Sequence, residues 1–339
     1  MDNELLKDQT QLNSIGSLVF RGLHSEQDYP LIHEIFHSHC QADNHPEKFT
    51  LEDIARSYAP TAEFIPDQQV LIAFHADQPA EAVGYSRLGW YSSSADTRLY
   101  YQISRLKQEY RGQGFWQEIV RRNEQQLLTI SAGHGLVTNR FYQAWAPDYE
   151  VDWMVILETS GYQVVRRFNN MLRQLGDVPD YPMPAGFEIR PVRPEHMRRI
   201  WEAQKEMNDG LFENVEGDWL EEKYPEWLED SSHTPQFWQV AWDGEELVGM
   251  VHMRIDYEKN KEHNQKRGLT EHIYVRPGWR KRGLASALIV RGLQVLKEQG
   301  MQEAELGVDA ENESSAYALY EHLGYKTFYV DTWYRKPMP

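Results

Sequence analysis

The stretch IYVRPGWRKRGLAS, residues 273–286, sets three cations, Arg280, Lys281 and Arg282, directly against Gly283 at the start of a helical pattern. The first amides of a helix have no intrahelical acceptor, and the helix dipole adds positive character, so such a start attracts anions. Gly283 lets an oxyanion approach the backbone, Ala285 keeps the next turn clear, and the cations attract from a distance. This chemistry suits a pyrophosphate. No Gly-Lys-Ser/Thr follows as in a P-loop, and the glycine spacing is not that of a dinucleotide fold. The same residues would also serve as a solvated basic turn capping a core helix.

The elements around this loop predict a mixed α/β layer. Strand signals lie at residues 187–190, 237–242, 247–255 and 269–275, with Asp243-Gly244 as a hairpin turn. Residues 284–299 are helical in pattern and apolar apart from a stripe of Arg291, Gln294, Lys297 and Glu298, so this helix must lie against a sheet. Gly300 stands where a C-cap belongs. A strand at 304–308, a helix to 323 and a last strand at 327–333 complete the layer.

The plan occurs twice. The strand-arginine-turn unit at Arg21 returns at Arg190, and EYRGQGFW around Gly114 returns as GWRKRGLA around Gly283, each 169 residues on. Gly161 in SGYQ parallels Gly324 in LGYK at 163 residues. A duplicated unit of ordinary domain size follows. The linker GDVPDYPMPAG, rich in Pro and Gly, divides the chain into domains 1–180 and 181–339.

At 339 residues, with 41% hydrophobic and 12% aromatic content, the chain can fill two packed cores. A net charge of -17 argues against nucleic-acid or anionic-membrane partners and for a cationic or neutral one. Cys40 is the only cysteine, so intrachain disulfides are excluded and a cysteine metal site is not expected. With neither a signal-peptide pattern nor a long apolar run, a cytoplasmic location is expected.

The strand ending in Val275-x-Pro277, followed by Arg280-x-x-Gly283-x-Ala285, resembles the GNAT superfamily of N-acetyltransferases. A second block of that family, Asn before a helix bearing Leu-Tyr and closing in Gly-Tyr/Phe, is matched by Asn312, Leu319-Tyr320 and Gly324-Tyr325. The resemblance covers the second copy well and the first in outline. It implies an α/β chain of two tandem GNAT folds, each a mixed, largely antiparallel sheet flanked by helices, with acetyl-CoA as co-substrate and no metal. The cofactor-binding residues it implies are Ile273, Tyr274, Val275, Arg280, Lys281, Arg282, Gly283, Leu284, Ala285, Ser286, Asn312 and Tyr317. Within that set, the amides of 282–286 would hold the pyrophosphate, the backbone of Ile273 and Val275 the pantetheine arm, and Asn312 would steady that arm.

The implied reaction moves an acetyl group to the amine of a small molecule. An alkyl amine has a pKa of about 10, so a proton must be removed before attack. Glu271 is the expected base: it lies on the strand that carries a catalytic glutamate in several family members. A two-residue period would set it on the face of Ile273 and Val275 and turn His272 to the other face, where a structural role is expected. Tyr320 occupies the family's position for protonating the CoA thiolate, with Tyr317 one turn earlier. Attack is expected to be direct, with the oxyanion met by a strand amide such as that of Val275. A non-catalytic acyl-CoA binding or regulatory module is the alternative, against which the Glu271/Tyr320 pair weighs.

In the first copy Glu271 corresponds to Gln102, Arg282 to Gln113, Ala285 to Trp116 and Tyr320 to Leu157, so a non-catalytic domain is expected there. Two further signals compete. His33-Glu34-Ile35-Phe36-His37 is formally a zinc-protease helix motif, but the metzincin extension is missing, and His33 and His37 correspond to Glu202 and Glu206 of the second copy. A zinc hydrolase is therefore the least favoured reading, with His39 a further potential ligand. The acidic, aromatic run 209–230 reads as a solvated helix pair with core aromatics, or as a border for a cationic acceptor.

Overall fold

A computed structural model describes residues 13–15, 17–43, 49–61, 64–208, 219, 221–230, 232–310 and 316–339. Among them no helix is long and apolar enough to cross a membrane. The chain forms two compact units, residues 1–165 with 332–339, and residues 166–331.

In the first unit, strands β1 (Asn13–Ile15), β2 (Leu18–Gly22), β3 (Val70–His75), β4 (Gln78–Ser94), β5 (Thr97–Leu106) and β6 (Asn139–Pro147) lie in sequence order. All neighbours are antiparallel except β5 and β6. The helices are α1 (Tyr29–Asp43), α2 (Leu51–Tyr58), α3 (Pro66–Gln69), α4 (Phe115–Ala132) and α5 (Val151–Thr159). Strand β3, VLIAF, is apolar throughout because both its faces are covered. The end of the chain completes this unit. Tyr334 is fully buried and donates to Glu158, Arg335 donates to Gln143, and Lys336 pairs with Glu124.

Strand β7 (Gln163–Gln174) runs into the second unit, which continues with β8 (Glu188–Ile189), β9 (Gln239–Asp243), β10 (Glu246–Arg254), β11 (Arg267–Val275), β12 (Glu303–Asp309) and β13 (Lys326–Pro337). Their order is β7-β12-β11-β10-β9-β8. Helices α6 (Met197–Asn208), α7 (Tyr224–Leu228), α8 (Tyr257–Glu262), α9 (Leu284–Glu298) and α10 (Ala316–His322) complete it. The units divide inside β7, upstream of the proline-rich linker. The linker residues Val178, Tyr181 and Met183 pack on the second unit's core, so linker composition marks where strands stop rather than where packing changes.

Two cores flank the second sheet. One joins α9 and Tyr320 of α10 to Val251, Met253, Val275 and Leu306, and the other joins α6 to Met250, Tyr274, Trp238 and Trp242. Gly268 of β11 lets α9 approach: a Cβ there would stand 2.5 Å from Cδ2 of Leu296, which is fully buried. Gly268→Ala should therefore cost roughly 1–3 kcal/mol through overpacking, measured as a lower urea midpoint with an unchanged m-value.

Candidate active site

Strands β11 and β12 are parallel but pair only at Arg267, Gly268 and Leu269, opposite Glu303, Ala304 and Glu305. Beyond Leu269 they part. On its other side β11 stays paired with β10 through Val275, and the Arg276 amide donates to the Val248 carbonyl. Alternation then turns the peptide groups of Ile273 and Val275 away from β10, toward the gap. A strand edge of this kind must meet water or a ligand.

The same stretch carries a bulge. Between the pairs Met250↔Tyr274 and His252↔Glu271, β10 has only Val251 whereas β11 has both His272 and Ile273. His272 takes up the extra length at φ +48°, a left-handed conformation that a histidine rarely adopts. The bulge overturns the facing expected from a two-residue period. Glu271 stands opposite His252 on the α6 side, whereas Ile273 and Val275 pack on the α9 side, and His272 joins the His252 face with ring centroids 5.1 Å apart.

Glu271 is half-buried and held by Arg254, whose Nη2 donates to Oε1 at 2.9 Å and whose Nε donates to Oε2 at 3.2 Å. His252 is buried flat against Trp238, with centroids 3.7 Å apart, and burial keeps its pKa well below the ordinary histidine value. The adjacent His233 is also shifted down by burial, with Asp230 opposing the shift.

At the anion-binding candidate, Gly283 caps α9 at φ +81° and no side chain caps the amides of the first turn. Lys281 is left-handed too, at φ +60°. Arg280 donates from Nε to the Val275 carbonyl at 2.9 Å, which ties the loop to the end of β11, and Arg282 reaches the Gly278 carbonyl. Arg280, Lys281 and Arg282 are exposed, while Leu284 and Ser286 turn inward with Ala285 half-buried. The Tyr181 hydroxyl lies 3.5 Å from where a Cβ on Gly283 would stand, so backbone conformation rather than space demands glycine here.

Tyr320 projects from α10 into the α9-side core, and burial pushes its phenol up to about 12. Tyr317 is half-buried and its hydroxyl lies 3.0 Å from that of Thr327. Asn312 lies outside the described residues. Glu271 and Tyr320 thus belong to opposite faces of the sheet.

The first unit repeats the loop with a shorter gap, since β5 leaves β6 only after Gln102, two positions beyond the counterpart of Leu269. Gly112 and Gly114 keep positive φ, but β5 pairs with β6 through Gln102, and the β4–β5 register is regular from Gly84 to Ser92. Gln102 bonds Tyr162 and Asn123, and Asn123 also reaches Ser86 and Ser104. Trp116 is buried 4.9 Å from Trp153, and Arg111, the counterpart of Arg280, is fixed by Asp43 and His39.

In the His33–His37 motif the two rings stack 6.2 Å apart, Glu34 pairs with Lys107, and His37 contacts Gln41. His39 is buried beside Glu150 instead. In the second unit Glu202 pairs with Arg198, and Glu206 pairs with Arg276. Of the acidic run, Trp219 and Tyr224 pack on Trp201, and Trp227 packs on Trp238.

The comparisons with known proteins bear on this mixed sheet and its glycine-capped helix start. Residues 197–325, most of the second unit, match the Acetyltransferase (GNAT) family. Curated relatives include the mycothiol acetyltransferase of Streptomyces scabiei, 31% identical over 187 residues, 53% of this chain and 56% of that protein. The mycothiol acetyltransferase of Streptomyces avermitilis is 29% identical over 58% of this chain and 62% of that protein. The chain thus spans under two thirds of these relatives' length. A solved GCN5-related N-acetyltransferase from Sphaerobacter thermophilus matches with a TM-score of 0.74 over 96% of this chain and 97% of that one, at 20% identity. A tandem GNAT protein from the clavulanic acid biosynthesis pathway matches at 0.61 over 95% and 99%, at 13% identity. At these identities the likeness is one of fold. The second unit carries the match to the GNAT family, and the chain has the tandem GNAT fold.

An unfolded phenol ionises near pH 10, so folding keeps a proton on Tyr320 that the unfolded chain gives up. The resulting stability is full below about pH 10 and is lost as pH rises toward 12. Tyr320→Phe should flatten part of that alkaline fall in urea-unfolding free energy.

Proposed function

We propose that the second unit transfers an acetyl group from acetyl-CoA to the amine of a small molecule by direct attack. The observation that carries this reading is the parting of β11 from β12 next to the Gly283 helix start. The loop amides from Arg282 to Ser286, with the cations Arg280, Lys281 and Arg282, suit the pyrophosphate. The peptide groups of Ile273 and the N–H of Val275, whose carbonyl is taken by Arg280, suit the pantetheine amides, with Tyr274, Tyr317 and Asn312 bordering the arm. Gly283→Val would strain a φ of +81° and crowd the loop, so CoA affinity should fall at least about tenfold in a calorimetric titration.

In the reaction, Glu271 receives one proton of the acceptor ammonium, directly or through water, and the neutral nitrogen attacks the thioester carbonyl. A backbone N–H at the end of β11, that of Val275, meets the oxyanion. The C–S bond breaks and the departing sulfur takes its proton from Tyr320, which burial keeps protonated at neutral pH. The first unit, with Gln102, Trp116 and Leu157 at the corresponding positions, serves as a non-catalytic copy. Thiol release from acetyl-CoA across a panel of primary amines tests the reading. Turnover with at least one amine is expected, and Tyr320→Phe should lower kcat by about a hundredfold. Tight CoA binding without thiol release from any amine would instead make the unit an acyl-CoA binding module.

A further inference from the structure

Acetylation strips two protons from an ammonium nitrogen, and the mechanism above gives only the first a destination. The second leaves after the C–N bond forms, from a tetrahedral nitrogen more acidic than the starting ammonium because the carbon beside it carries oxygen and sulfur. Glu271, once it carries the first proton, is no longer a base and cannot take the second until it has released the first. Beside it stands a residue that the sequence alone assigned to structure.

His272 adopts φ +48° in the bulge, and it is exposed where both its chain neighbours are half-buried. Left-handed histidine is costly, and such strain persists where the surroundings impose it, often at functional sites. The bulge swings the ring to the Glu271 face, against His252, which is itself fixed by Trp238 and whose Nε2 has no hydrogen-bond partner among the described residues.

We propose that His272 is a second proton acceptor in this site, taking the proton that the acceptor nitrogen sheds after attack and passing it to solvent. The proposal rests on the acetyl-transfer reading of the same site. The N–H bond breaks as the proton moves to an imidazole nitrogen, and its electron pair returns to the nitrogen that becomes the amide. The groups around the ring set its charge. Crowding on its inner side disfavours imidazolium, Glu271 favours it, and His233 and Arg254 oppose it, so the folded pKa falls below the usual histidine value. The residue keeps solvent access while part of its ring is crowded by its neighbours. His252 beside it stays neutral, and Asp230 lies with His233. His272 is thus a free base at neutral pH, and its proton uptake fails only in acid.

The test uses His272→Gly in the full chain, because glycine adopts φ +48° freely and removes the ring without straining the bulge. Thiol release is followed with whichever primary amine of the panel the parent turns over, with CoA affinity and thermal midpoint as controls. At pH 7 kcat should fall by about a hundredfold with CoA affinity unchanged, the acid limb of the kcat profile should vanish, and added imidazole should restore turnover. A variant within about threefold of the parent, or a loss that imidazole does not repair while the acid limb persists, would overturn the role of His272. A parent that binds CoA but releases no thiol overturns the transferase reading itself, and this role with it.

Discussion

One extra residue in β11 governs the second unit. A strand paired regularly on both sides would bury its peptide groups in ladders and alternate its side chains strictly. Inserting His272 opposite Val251 breaks the alternation at the point where the β12 ladder has already ended at Leu269. The consequences are joined: the peptide groups of Ile273 and Val275 face a gap, and the polar side chains Glu271 and His272 come to the α6 side of that gap. The Gly283 loop is tied to the same strand through Arg280 and the Val275 carbonyl. The β11 peptide edge and the facing of Glu271 and His272 therefore meet at a single local irregularity.

The first unit shows what the fold does without it. Its glycines keep the loop conformation, so the turn alone does not make a site. Its strands stay paired two residues further along, and Asn123 donates from Nδ2 to Ser86, Gln102 and Ser104. Trp116 fills the start of α4 against Trp153. Arg111 is spent on Asp43 and His39 inside the unit, whereas Arg280 remains exposed at the loop. In the first unit the duplicated framework has a shorter strand gap and a regular β4–β5 register, and it lacks the bulge of the second.

Much of this was legible in the sequence because it depends on local chemistry. The strands and the apolar helix of the second unit stand within a few residues of where their periodicity puts them, and the duplicated landmarks at Gly114 and Gly283 both begin helices at positive φ. The bulge was not legible, since it is a register between two strands and nothing in EHIYV announces it. That hidden register is why Glu271 was expected on the wrong face and His272 was set aside. The Arg254 partner of Glu271 and the stacking of His252 on Trp238 are cross-strand contacts of the same kind. The return of residues 332–339 to the first unit was missed for another reason, because β13 reads as one uninterrupted strand and a strand carries no mark of where its neighbours change.

The central claim is that the exposed peptide edge of β11 is the cofactor's binding surface. Amide hydrogen exchange of Ile273 and Val275, measured with and without saturating CoA, tests it directly. Exchange at these two amides should slow by at least about tenfold on binding, while Thr332 and its neighbours in the first unit stay unchanged. Unaltered exchange at both amides while CoA is bound would contradict the account.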